Sequence, residues 1–246
     1  MADGTGGESG GPFGRVEPAH YPDLAAGGGL LRVLRSTARE RGVDPESIGT
    51  RSRGVHAGYT SVVIELGTAT MRVGLAIEER GFSVGIGRDW LHVANGWTEQ
   101  LRDLLDLARA WREGAGYEEL ARSWPFLTFS PLAMVLAAPD PVAAQWELLL
   151  TAPEFAEDRP LVEAAHAVLG LRDFFPDLSH RALRLSRSYR ESAGAVTITP
   201  LADGTARVDR VGEATAGETY AVYPDAAEAA AALLGRTPPA SGESRP

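Results

Sequence analysis

The sequence predicts an α+β protein with two small antiparallel sheets, each followed by an amphipathic helix and joined by a helical middle segment. Three observations lead to this prediction. Apolar residues change from helical spacing to alternation near Ser61 and again near Arg181. Short glycine-containing turns separate the alternating runs, which is typical of antiparallel hairpins. A helix with one apolar stripe then ends each group of strands, over Ser61–Gly114 and over Arg181–Gly235.

The first group is predicted to begin with a helix and to continue as a four-stranded meander. The helix depends on Leu30, Leu34 and Ala38 at helical spacing, with Gly42 as its stop. The strands are predicted at Val62–Leu66, Met71–Ile77, Phe82–Ile86 and Trp90–Ala94. The helix that follows has an apolar stripe of Leu101, Leu104, Leu105, Ala108 and Trp111. We expect this stripe to cover one face of the sheet.

Prolines mark the helices of the middle segment. Trp124-Pro125 stops a short helix over Tyr117–Ser123, and Asp140-Pro141 and Pro160 each begin a further helix. Four more strands are then predicted, at Leu183–Arg187, Ala195–Thr199, Thr205–Val211 and Thr219–Val222. A final helix is predicted to begin at Pro224-Asp225.

These elements divide the chain into five predicted segments. Residues 1–20 and 237–246 are rich in glycine, proline and serine, and both are predicted to be disordered tails. Residues 21–126 form an N-terminal α+β lobe, residues 127–178 a helical connecting segment, and residues 179–236 a C-terminal α+β lobe.

Composition excludes several classes of function. The net charge of -9 disfavours general nucleic-acid binding, and the absence of cysteine excludes disulfides and thiolate chemistry. The histidines are too far apart in sequence for a common metal motif, and no nucleotide-binding motif is present, so we expect neither a metal nor a cofactor. No apolar run approaches a membrane span and no signal peptide is recognisable. We therefore expect a cytoplasmic protein that does not contact membranes.

One stretch, Leu171–Arg190, combines a Phe-Phe pair, Pro176, His180 and arginines at every third position. Its pattern LRxxFPxxSHxxLRxSR resembles the signature of an actinobacterial family of unknown function labelled "natural product biosynthesis protein". Matching motifs in the same order and spacing begin at Tyr21-Pro22-Asp23-Leu24 and Gln145-Trp146-Glu147. The sequence departs from the signature at Arg181, where the family has glycine. The resemblance carries over no catalytic residue; it implies an accessory role beside genes for modified peptides and other secondary metabolites.

The arginines at every third position have two interpretations. Alternation along a strand places Leu183, Leu185, Arg181 and Arg187 on the core side, and Arg184, Ser186 and Arg190 on the outer side. Outward guanidinium groups can hold a carboxylate or a phosphate in a bidentate fork. Alternatively, they pair with nearby acidic residues on a solvated surface, namely Asp173, Asp177 and Glu191.

Asp177, Ser179 and His180 supply the residue types of a nucleophilic triad, although such triads usually assemble from separate segments. The simpler interpretation is that Asp177 or Ser179 caps a turn. The candidate binding residues are therefore Ser179, His180, Arg184, Ser186 and Arg187.

The leading functional prediction is an accessory or interaction protein of a natural-product pathway that binds a precursor peptide or a pathway enzyme. The alternative is a tailoring enzyme acting on a peptide or small molecule, with its site near Asp177, His180 and Arg184.

Overall fold

The computed structural model describes residues 12–51, 58–212 and 217–235, and it divides the chain into two units, Met1–Met134 and Val135–Pro246. Each unit contains one antiparallel sheet with helices packed on one face, which confirms the predicted α+β class. The boundary lies inside the predicted connecting segment, residues 127–178. Most of the predicted tails, residues 1–11 and 237–246, lies outside the described residues.

The first unit contains a six-stranded sheet in which neighbouring strands are consecutive in the chain. Its strands are β1 (Ile48–Gly49), β2 (Ser61–Glu65), β3 (Thr70–Leu75), β4 (Phe82–Arg88), β5 (Leu91–Thr98) and β6 (Leu127–Phe129). Its helices are α1 (Pro22–Gly27), α2 (Leu30–Ala38), α3 (Leu101–Arg112) and α4 (Tyr117–Ser123). Helix α5 (Pro131–Ala137) crosses the boundary between the units.

Alternation in the strands and the stripe of α3 together form the first core. Phe82, Val84 and Ile86 of β4 are buried, while Ser83 between them is exposed. The predicted stripe of α3 is buried in the same cluster, including Trp111. The prediction that α3 covers one face of the sheet is therefore confirmed.

Tyr21 fixes the turn between β3 and β4. It is fully buried, and its hydroxyl donates to the carbonyl of Gly81 at 2.8 Å and accepts from the N–H of the same residue at 3.1 Å. Asp23 adds a bidentate ion pair to Arg80, with distances of 2.7 and 3.0 Å. The Arg80 guanidinium also lies 5.6 Å from the ring centre of Phe82. The Tyr21-Pro22-Asp23-Leu24 motif thus has a structural role.

The structure differs from the predicted N-terminal tail, residues 1–20, in its second half. Phe13 and Val16 are buried in the first core, and the Phe13 ring packs edge-on against Tyr59 at 5.7 Å. Because the surrounding sequence is rich in glycine, its composition does not indicate that these two apolar residues pack into the core.

The second unit contains a five-stranded sheet with the order β11-β10-β9-β8-β7. Its strands are β7 (Phe175–Ser179), β8 (Ala182–Ser186), β9 (Val196–Pro200), β10 (Ala206–Arg210) and β11 (Glu218–Tyr220). Its remaining helices are α6 (Pro141–Thr151), α7 (Arg159–Ala167) and α8 (Tyr223–Gly235). All three helices contribute to the same buried cluster as the inward side chains of the sheet, so α6 and α7 are part of this unit's core.

Trp146 is the largest side chain of α6 in this core. It is 2% exposed, and its indole N–H donates to the carbonyl of Phe174 at 3.2 Å. The imidazole of His166 packs against its ring at 5.2 Å. Burial lowers the pKa of His166, and the positive charge of Arg172 lowers it further. Trp111 in the first unit and Trp146 in the second are thus both buried.

Three strands were not predicted. β1 and β6 contain two and three residues, too few for any period to be recognised. β7 contains Pro176, which cannot donate to a ladder, and the structure accommodates it by placing β7 at the edge of the sheet. β5 extends to Thr98, four residues beyond its predicted end at Ala94.

Within the described part of the chain, helices are all too short or too polar to traverse a bilayer. The same residues contain no cluster of three or more histidine, aspartate or glutamate side chains suited to a metal ion.

Candidate functional site

The signature stretch folds into a tight hairpin. β7 and β8 pair from Phe175–Ser186 to Ser179–Ala182, which leaves His180 and Arg181 as a two-residue loop. Both have left-handed backbone conformations, with φ of 51° and 67°, as a type I′ turn requires. Glycine adopts this conformation without a steric penalty. The backbone at Arg181 would therefore favour the glycine expected there from the signature that this stretch resembles.

The predicted outward arginine, Arg184, pairs across the hairpin with Asp177. The two residues are register partners, and Arg184 Nη2 lies 3.0 Å from Asp177 Oδ2. Arg184 Nη2 also lies 3.3 Å from the carbonyl oxygen of Tyr189, and the side chain is only 25% exposed. Its Nε is buried and has no hydrogen-bond partner among the described residues. The guanidinium is therefore largely occupied by the protein itself.

Ser186 lies on the predicted outer side of β8, but that side is not open to solvent at this residue. It is 2% exposed, and its hydroxyl donates to the carbonyl of Ser188 at 2.9 Å. The chain after β8 folds back, so that the ring of Tyr189 packs edge-on against Phe175, the register partner of Ser186. Burial raises the pKa of Tyr189, and the charge of Asp177 raises it further while Arg184 opposes it. Strand alternation places Ser186 on the correct side of β8, but it cannot predict that the chain after β8 folds over that side.

The three triad residue types are not arranged as a triad. Ser179 Oγ lies 3.0 Å from Nδ1 of the adjacent His180, and both residues are exposed. The carboxylate of Asp177 is paired with Arg184 instead of orienting the imidazole. Arg187 is exposed on the loop that follows β8. The hairpin therefore presents polar groups on a surface, without a nucleophile–base–acid relay.

Arg181 is also held in place. Its Nε lies 3.1 Å from Asp158 Oδ1, and its Nη1 lies 3.9 Å from Glu157 Oε2. The predicted core-side position of Arg181 is wrong, because the turn begins at His180 and removes Arg181 from the alternation of β8.

A second candidate surface, not predicted from the sequence, lies on the outer face of the first sheet. It is a groove of about 680 Å³, and we call it the sheet groove. Its lining consists of Arg51, Ser61, Val62, Val63, Arg72, Val73, Gly74, Ser83, Val84 and Gly85. The size lies within the range of ligand sites in proteins.

The groove exists because glycines in β3 and β4 have no side chains that would fill it. Gly85 pairs with Arg72 on the neighbouring strand, and a Cβ built on Gly85 meets no atom within 4 Å. Gly74 pairs with Ser83, so the next pair of residues on this face of β3 and β4 is also small and leaves the floor of the groove low. Trp97, 39% exposed, is the register partner of Ser83 and continues this row. The only signal in the sequence is the alternation of glycine with core residues in β4.

Charge distinguishes the sheet groove from the rest of the surface. Within the part of the chain that the structure describes, its lining contains two arginines and no acidic residue, although the chain carries a net charge of -9. Among the described residues, Arg72 is exposed and makes no hydrogen bond or ion pair, and Arg51 makes one 3.5 Å contact with Thr70. The groove therefore offers guanidinium donors above a floor of small residues, and the half-exposed Trp97 lies outside its lining in the adjoining row.

The fold and these surfaces define an α+β protein with a polar groove on the first sheet and a polar hairpin in the second, and the described residues of that hairpin form no catalytic relay. Residues 140–245, less than half of the chain, match the model of a family of unknown function (DUF6193). The match includes the hairpin of β7 and β8 but not the sheet groove. Comparison with curated proteins and with solved structures gives no significant match.

Proposed function

We propose that this protein is a non-catalytic accessory protein of a natural-product pathway, and that it binds an acidic segment of the pathway's precursor peptide in the sheet groove. The observation that supports this proposal most directly is the pair of arginines, Arg51 and Arg72, above a glycine floor without any acidic neighbour in the lining. The association with natural-product pathways rests on the resemblance of the signature stretch.

The dimensions favour an extended segment. The row from Ser61 through Gly74 and Ser83 to Trp97 crosses three strand spacings. At about 4.8 Å each, these spacings give about 14 Å, the length of about four extended residues. Guanidinium groups at one side suit carboxylates, and the indole at the other end suits an apolar or aromatic side chain. A bound segment of this kind adds charge-assisted contacts without needing a deep cavity.

The alternative of a tailoring enzyme near Asp177, His180 and Arg184 receives less support. Asp177 and Arg184 neutralise each other at 3.0 Å, and His180 Nδ1 faces Ser179 instead of a carboxylate. A general base needs a free lone pair within hydrogen-bond reach of the substrate proton, and this arrangement leaves only Nε2 of His180 for that role.

The test uses the full chain and dye-labelled synthetic hexapeptides, one rich in Asp and Glu and one with the corresponding amides, with binding followed by fluorescence anisotropy. We expect only the acidic peptide to bind, and we expect Arg72→Ala to weaken it about tenfold or more, since a charge-assisted pair contributes about 1.5–3 kcal/mol. Arg102→Ala, on the exposed side of α3, removes the same charge away from the groove and serves as the control.

Arg184→Ala separates the two candidate surfaces. If binding falls with Arg184→Ala but not with Arg72→Ala, and both variants remain folded, the peptide site is the hairpin and the groove proposal is wrong. Equal binding of the acidic and amide peptides also contradicts it, because recognition then does not depend on the arginines.

A further inference from the structure

A second cavity lies in the first unit, and the described residues that line it all differ from those of the sheet groove. It has a volume of about 320 Å³ and lies beside the first turns of α2. Its lining consists of Gly28, Leu31, Arg32, Arg35, Gly58 and Tyr59. The described part of this lining again combines two arginines with no acidic residue, and it also contains one aliphatic and one aromatic side chain.

Arg35 is held in position by a hydrogen bond, and Arg32 lies beside a glycine. Arg35 donates from Nε to the carbonyl oxygen of Ile48 at 2.8 Å, which leaves its terminal N–H groups for another acceptor. Arg32 lies against Gly28, because a Cβ on that glycine is placed 3.1 Å from Arg32 Nη1. Gly28 has a φ of 81°, so the local backbone itself favours the residue that leaves room for the guanidinium. Because Arg35 is already fixed by its hydrogen bond, it loses little entropy when it binds a ligand.

The donors of this cavity are the guanidinium groups and not the start of the helix. The backbone N–H groups of Leu30 and Leu31 already donate to the carbonyls of Tyr59 and Gly58, at 3.1 and 2.7 Å. The cavity therefore does not depend on unsatisfied backbone donors at the N-terminus of α2.

Electrostatics favour a negative ligand between the two arginines. Arg32 and Arg35 are three residues apart on one helix, and like charges at this spacing repel each other. Within the described part of the chain, Arg32 makes no ion pair or hydrogen bond, and Arg35 contacts only a neutral carbonyl. A carboxylate or phosphate between them replaces this repulsion by two charge-assisted contacts.

We propose that this cavity binds a small organic anion, with its carboxylate or phosphate group between Arg32 and Arg35 and its apolar body against Leu31 and Tyr59. The volume, at the lower end of the range for ligand sites, suits a molecule with about one ring. The proposal is independent of the peptide site, since the two linings have no residue in common.

Titration of the full chain with phenyl phosphate and with benzoate tests this proposal, using isothermal titration calorimetry. We expect saturable binding of at least one of them, and the stronger of the two identifies phosphate or carboxylate as the favoured group. Arg32→Gln and Arg35→Gln should each raise Kd at least tenfold. Arg39→Gln is the matched control, because Arg39 follows α2 and is exposed but does not line the cavity; its Kd should stay within twofold.

Two further measurements complete the design. Phenol, which lacks the anionic group, should bind at least tenfold more weakly than the better anion, and inorganic phosphate should bind more weakly than phenyl phosphate if the apolar wall contributes. Arg32→Lys should restore little of the affinity, because lysine keeps the charge but not the planar pair of donors. The proposal is overturned if neither aryl anion saturates the protein at about 10 mM, or if Arg39→Gln weakens binding as much as Arg32→Gln.

Discussion

Replacing Arg181 by glycine should stabilise the backbone of the hairpin while removing an ion pair, and the two effects can be separated. Arg181 has a φ of 67°, a conformation that costs a residue with a Cβ about 1–2 kcal/mol. Glycine avoids this cost but makes the unfolded chain more flexible, which opposes about 0.5–1 kcal/mol of the gain. The backbone effect alone should therefore favour glycine over alanine by about 0.5–1 kcal/mol.

The Arg181→Ala variant measures how much the ion pair of Arg181 contributes to stability. Arg181 is 62% exposed where it meets Asp158 at 3.1 Å, so Arg181→Ala should cost no more than about 1 kcal/mol. Arg181→Gly should then be more stable than Arg181→Ala, and close to the natural protein. Equilibrium urea unfolding of the three chains, followed by circular dichroism, measures these differences. If Arg181→Gly is no more stable than Arg181→Ala, the left-handed turn is not the reason for glycine in the signature.

Three other predictions concern the two cores. A chain that starts at Tyr21 loses Phe13 and Val16 from the first core, and it should be less stable by about 1–3 kcal/mol in urea unfolding, whereas a true disordered tail would leave stability unchanged. The pKa of Asp23 is lowered, first by the hydrogen bond from its partner Arg80, so the ionised carboxylate stabilises the fold above about pH 4 and this effect is lost as pH falls through the folded-state pKa. The difference in unfolding free energy between the natural chain and Asp23→Asn should therefore shrink on acidification, and a constant difference would contradict this. Trp146→Ala should cost about 3–5 kcal/mol because the ring is 2% exposed, and a cost below about 1 kcal/mol would show that the ring does not support the core.

Helices and strands long enough to show a regular spacing of apolar residues were predictable from the sequence. Short elements, and elements interrupted by proline, were not. α4 has the predicted bounds, and the stripe of α3 is buried as predicted, because both depend on local spacing and stop signals. β6 has too few residues to show alternation, and β7 combines a strand with Pro176. β6 depends on pairing with the distant strand β5, which no local pattern encodes. β7 pairs with the adjacent strand β8, but its proline is a residue that usually argues against a strand.

The site shows the same division between local and long-range causes. Alternation correctly places Arg184 opposite Leu183 and Leu185, and its partner Asp177 was one of the predicted acidic neighbours. The burial of Ser186 was not predictable, because it results from the return of the chain after β8. The sheet groove is defined by side chains that are absent, and a glycine within a strand has several other common explanations.

The measurement that tests the proposed peptide site most directly is a ¹⁵N NMR titration of the full chain with the acidic hexapeptide. We predict that the backbone amides of Gly74 and Gly85 and the indole N–H of Trp97 shift together and saturate with one Kd. This Kd should rise about tenfold or more in Arg72→Ala and stay unchanged in Arg102→Ala. Shifts confined to the hairpin over 175–186, or saturable binding that leaves both glycines unchanged, would contradict the assignment of the sheet groove as the recognition site.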